Sequence, residues 1–85
     1  MTDERIRELL GPFASGEAQI LMGDVPDWEY PAVHARFEEW QELRGYGYIR
    51  FLADPMYDRQ SNEHRLYKAV ASITEDGAAF LANVA

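Results

Sequence analysis

The sequence predicts a small α+β domain: three helical segments, two strand-like runs joined by a long polar loop, and a closing helix. Three observations carry this reading. Apolar residues recur at helical spacing in DERIRELL and again from Val33 to Leu43. Around Ile49 and Phe51 they alternate with polar ones, and ITEDGAAFL reads as a strand end, a cap and an apolar helix. Apolar residues make up 47% of the 85-residue chain and eleven positions are aromatic (two Trp, five Tyr, four Phe), which suffices for the core of a single domain spanning 1–85.

Residues 3–10 fit a short helix with Ile6, Leu9 and Leu10 on one face, stopped by Gly11-Pro12. Ser15 is placed to cap a second helix running through Met22 and ended by Gly23, although QILM also fits a strand. Asp24-Val25-Pro26 makes a tight break. The strongest helical signal follows. Asp27 suits its N-cap, Pro31 falls where a missing N–H costs little, and Val33, Phe37, Trp40 and Leu43 form one stripe. Arg44 suits the last turn and Gly45 the end.

YGYIRFLA and RLYKAVASI read as strands, with Ile49 and Phe51 alternating against Tyr48 and Arg50. The intervening DPMYDRQSNEH is too long for a tight hairpin turn and reads as a long β-loop. Thr74 caps the closing helix, where Glu75 and Asp76 sit well against the dipole. Gly77 is expected to let that helix approach the preceding strand, with Ile73, Phe80, Leu81 and Val84 in the core.

The segment VHARFEEWQELRGYGYI is similar to the third helix and first wing strand of winged-helix regulators. ITEDGAAFL resembles the Leu-Thr-x-x-Gly-x-x-Phe-Leu pattern that ends the wing and opens the last helix in many of them. The resemblance covers residues 30–84 and implies a winged-helix-like fold: three N-terminal helices, a β-hairpin wing with a long loop, and a C-terminal helix. It also implies DNA binding, with the third helix in the major groove.

Charge bears on that implication. The net charge is −7, and residues 1–43 alone carry −7, residues 44–73 carry +2 and the last twelve carry −2. Such a distribution argues against general nucleic-acid affinity and leaves room for a local basic patch. There is no cysteine, so neither disulfides nor thiolate metal sites support the domain, and stability rests on packing or self-association. The longest apolar run, Ala78 to Ala82, is far short of the roughly 20 residues of a membrane span. MTDERIRELL lacks the apolar core of a secretion signal, so a cytoplasmic protein without membrane association is expected.

Little points to catalysis. His34 and His64 lie thirty residues apart in a chain without cysteine and complete no metal-binding pattern. Glu38, Glu39 and Glu42 read as the solvated face of an amphipathic helix. Gly45-Tyr46-Gly47 follows a helix instead of opening one, and the serines lack a nucleophile-elbow context. No enzymatic activity, cofactor or metal is expected.

Two classes of partner remain. The region that would read DNA contains Asp27, Glu29, Glu38 and Glu39 against Arg36, and phosphates would be repelled there. An acidic, aromatic binding face made of Trp28, Glu29, Tyr30, Glu38, Glu39 and Glu42 fits a protein partner with a basic surface. Such a domain, monomeric or homodimeric, would be a small regulator or inhibitor that presents carboxylates where phosphates sit. Phage-encoded inhibitors, anti-CRISPR proteins among them, are often small and acidic in this way. The alternative is a DNA-binding winged-helix transcription regulator that relies on its wing through Arg36, Arg50, Arg59, His64, Arg65 and Lys68, with a dimer partner or a minor charge-neutralising contact.

Overall fold

A computed structural model of the chain describes residues 1–58 and 65–83. The first helix, α1 (Asp3–Leu10), starts where the Thr2 hydroxyl accepts the Arg5 N–H at 3.2 Å, with Asp3 and Glu4 in its first turn. Ile6, Leu9 and Leu10 are buried, as their spacing predicts. Gly11-Pro12 does not end the coil abruptly. A single 3-10 turn over Gly11–Phe13 follows and buries Phe13 against Trp40, with ring centroids 5.5 Å apart.

The second predicted helix, over 15–22, does not form. Its last four residues are strand β1 (Gln19–Met22), and Gly16 takes φ +84°, outside the right-handed helical region. A helix of that length is marginal on its own, whereas an extended Ile20-Leu21 gains a hydrogen-bonded neighbour in strand β4 (Leu66–Ile73). Two helices separated by a strand therefore stand where three consecutive helices were expected. Gly23, expected to stop a helix, instead lets two backbones meet. Its N–H donates to the Tyr67 carbonyl at 2.8 Å, and a Cβ there would lie 1.6 Å from the Leu66 carbonyl oxygen.

Helix α2 (Tyr30–Gly45) carries Phe37, Trp40 and Leu43 into the core, with Val33 partly buried alongside. Asp27 does not cap it, because its carboxylate accepts from Arg65. Glu29 takes the N-cap position without a side-chain bond, and the Pro26 carbonyl accepts from the Glu29 and Tyr30 N–H groups.

Among the described residues the sheet is antiparallel throughout. Its central strand is β4, with β1 on one side and β2 (Ile49–Phe51) and β3 (Met56–Tyr57) on the other. The expected long loop thus contributes a short strand of its own. Register Leu21↔Ala69, Ile49↔Ile73 and Phe51↔Ala71 places these residues toward the helices. Ala69 and Ala71 are buried in one cluster with Phe37, Trp40 and Ile49. Each large apolar side chain withdrawn in this way contributes about 1.5–3 kcal/mol.

The closing helix, α3 (Glu75–Ala82), is capped as its sequence predicts. The Thr74 hydroxyl accepts the Gly77 N–H at 3.1 Å and donates to the Gly47 carbonyl. Gly77 does sit against the residue preceding β2, since a Cβ there would lie 2.2 Å from the Tyr48 carbonyl oxygen. Phe80 packs on Tyr48 with centroids 5.0 Å apart, and Ile73, Phe80 and Leu81 are partly buried. Val84 lies outside the described residues. Among those described, no helix is long and apolar enough to cross a membrane.

Two glycines separate steric need from simple tolerance. Gly23→Ala is expected to cost about 1–3 kcal/mol, because its methyl would meet backbone that cannot yield. Gly11→Ala, where the added methyl meets nothing and φ is −50°, is expected to shift stability by less than about 1 kcal/mol. Urea denaturation of the two variants beside the wild type measures both.

Candidate protein-interaction site

Helix α2 and the turn before it carry all of the acidic and aromatic positions singled out from sequence. Among the described residues Trp28 is the most exposed large apolar one, at 79%, and it stands in the turn that opens the helix. Glu38 and Glu42, one helical turn apart, are both exposed. Glu29 is half-buried at the N-cap.

The other members are engaged inside the molecule. Tyr30 accepts the Leu66 N–H on its hydroxyl at 2.8 Å, and its ring lies 4.2 Å from the Arg65 guanidinium. That bond answers an irregularity in the sheet. The β3–β4 register slips between Met56 and Tyr57, so Tyr57 stands opposite Leu66, and the Leu66 N–H turns to the tyrosine. Arg65 also donates to Asp27 and to the Val25 carbonyl, leaving its side chain 18% exposed. This cation fastens the start of α2 to the start of β4.

Glu39 parts company with its acidic neighbours. Arg5 on α1 grips it with a two-pronged bond, Nε to Oε2 at 2.6 Å and Nη2 to Oε1 at 2.8 Å, and Arg36 approaches at 3.7 Å. The hydrogen bonds from Arg5 hold the Glu39 carboxyl below the usual carboxylate range, against a smaller opposing effect of desolvation. The same contacts, with Glu8, raise the Arg5 guanidinium further above neutrality. Glu39 is therefore a tie between two helices, while Glu38 faces solvent and meets His34 at 2.8 Å.

The candidate basic residues are dispersed. Arg36 is on α2 beside Glu39, and Arg65 is paired with Asp27. Arg50 is opposite Ser72, and Lys68 is opposite both Met22 and Met56. Residues 68, 70 and 72 share the sheet face away from the helices, so Arg50 and Lys68 lie on that outer face. Arg59 and His64 lie outside the described residues. Among those described, no group of three or more His, Asp or Glu residues could hold a metal ion.

Sequence reading missed the outer sheet face. Ile20 (58% exposed) and Met22 project there, as does Met56, and Leu52 donates its N–H to Val70 beside them. The signal was the alternation in QILM, which separates an inward Leu21 from outward Ile20 and Met22 once the segment is a strand.

No family model matches the chain, and neither the curated proteins nor the solved structures contain a match.

Two measurements check these roles. Tyr30→Phe removes the acceptor for the Leu66 N–H and is expected to cost about 1–3 kcal/mol in thermal or chemical unfolding. Glu39 has a folded-state pKa below its unfolded value, near 4.3, so its contribution is complete above that value and is lost as pH falls through the folded pKa. Stability measured from pH 7 down to pH 3 should therefore fall less steeply in Glu39→Gln than in the wild type, even though the variant starts lower.

Proposed function

We propose that this chain is a non-enzymatic regulatory domain that acts by binding a protein with a basic surface. The observation that carries the reading is Trp28. A nearly bare indole at the mouth of a helix whose solvent face holds Glu38 and Glu42 combines an apolar anchor with carboxylates placed to steer a cationic surface. Glu29 adjoins the anchor, Tyr30 holds the turn beneath it through Leu66 and Arg65, and Glu39 supports the helix through Arg5. Charge on this side favours a partner surface that otherwise receives phosphates, so an inhibitor that mimics nucleic acid is the most specific form of the proposal.

A second reading has an observation of its own. Arg50 and Lys68 share the outer sheet face, and the β2–β4 pair followed by a threonine-capped helix supports a winged-helix-like arrangement with a wing able to meet a DNA backbone. Against it stand the single helix between β1 and β2, where a helix-turn-helix needs two adjacent helices, and the acidic character of α2.

The discriminating experiment compares wild type, Trp28→Ala and the double variant Glu38→Lys/Glu42→Lys in recovery of bound proteins, alongside titration of labelled duplex DNA. These three residues are exposed, so the variants are expected to fold as wild type while losing partners that the wild type retains. DNA binding should be absent. Salt-sensitive DNA binding that disappears in Arg50→Glu/Lys68→Glu, together with unchanged protein recovery by the α2 variants, overturns the first reading in favour of the second.

A further inference from the structure

Where β2 ends, the surface opens into a pocket of about 370 Å³, within the range of roughly 300–1,000 Å³ typical of small-molecule sites. Arg44, from the last turn of α2, and Arg50, from β2, both line it. Phe51, Leu52 and Pro55 supply an apolar wall, and Asp54 belongs to the same lining. Phe51 faces the helices and Arg50 the outer sheet face, so a pocket lined by both lies at the sheet edge.

These two arginines differ from the others that meet acids. Arg5, Arg36 and Arg65 each contact a carboxylate. Among the described residues Arg44 and Arg50 form no ion pair, although Asp54 lines the same pocket. The Arg44 guanidinium lies over the Phe51 ring, 5.5 Å from its centroid, which steadies the cation by its face and leaves its N–H groups uncommitted. Arg50 donates Nε–H to the Ser72 hydroxyl at 3.4 Å and keeps both Nη groups. The backbone adds a donor. Leu52 donates to Val70 and Thr74 to the Tyr48 carbonyl, so antiparallel alternation turns the Phe51 N–H away from β4, toward the open edge.

We infer that this pocket binds a small organic phosphate monoester, with the phosphate between Arg44 and Arg50 and the apolar body against Leu52 and Pro55. Two guanidiniums match the two negative charges of a monoester. Donors that arrive from both sheet faces and from the edge suit a tetrahedral oxyanion, whereas a flat carboxylate is saturated by the planar fork of one guanidinium. A phosphodiester carries a single charge and a second substituent, and fits less well. The other polar hollow, beside Gly23 and Tyr67, has its cation committed, because Arg65 is held by Asp27 and the Val25 carbonyl. Asp54 and the net charge of −7 both oppose an anion, so the site is weak and its attraction local.

Titration of the ¹⁵N-labelled full chain with phenyl phosphate, followed by amide chemical shifts, tests the inference at about pH 7.5, where the ester is dianionic. Shifts should concentrate at Arg44 and residues 50–55 and saturate with a dissociation constant of about 1 mM or below. Inorganic phosphate, which lacks the ring, and diphenyl phosphate, a monoanion, should each bind more weakly. Arg44→Gln and Arg50→Gln should each weaken phenyl phosphate by about tenfold while keeping the wild-type circular dichroism spectrum. Asp54→Asn, which removes the opposing charge, should tighten it. Absence of saturable shifts up to about 10 mM overturns the inference. So does binding that both arginine variants leave unchanged. Inorganic phosphate or diphenyl phosphate binding as tightly as phenyl phosphate overturns the assignment to an organic monoester.

Discussion

In the described sheet, β4 is the strand to which β1, β2 and β3 each bond. None of those three flanking strands exceeds four residues, and segments so short hold no extended shape alone. Their order depends on an eight-residue strand with a partner on each side. Residues 69 and 71 of that strand must also be small. Both are alanines, fully buried in the cluster that receives Phe37, Trp40 and Phe13. A larger side chain at either position would have to displace close-packed aromatic neighbours.

The same strand positions the proposed binding face. At its start, Arg65 reaches Asp27, Val25 and the Tyr30 ring, and the Leu66 N–H bonds the Tyr30 hydroxyl. These contacts seat the first turn of α2, and Trp28 projects from the turn they hold. Farther along the helix, Arg5 and Glu39 tie α2 to α1. The carboxylates left in water, Glu38 and Glu42, are those whose removal from the surface the fold does not require. A helix of mixed acid content is thereby divided into structural and available charge.

Reading by periodicity succeeded where a segment's own pattern decides its environment. DERIRELL, the stripe from Phe37 to Leu43, the alternation at Ile49–Phe51 and the Thr74 cap each carry enough local information to specify both element and buried face. Reading failed where a partner distant in sequence decides. QILM fits a helix or a strand by composition, and β4, more than forty residues later, makes it a strand. Asp27 looks like a helix cap until Arg65, thirty-eight residues away, claims its carboxylate. Glu39 is indistinguishable in sequence from Glu38, because nothing local indicates that Arg5 will reach one and not the other.

What the sequence by itself determined is the fold class: α+β and acidic, with a closing helix and enough apolar residues for a core. These follow from hydrophobic period, capping chemistry and net charge, all of which act over a few residues or over the whole chain without regard to topology. The tertiary structure alone decided that a strand separates the first two helices, that Gly23 is a point of backbone contact, and that Ile20 and Met22 face outward on an edge strand. Each of those outcomes rests on a contact between segments far apart in the chain, and such contacts leave no trace in local spacing.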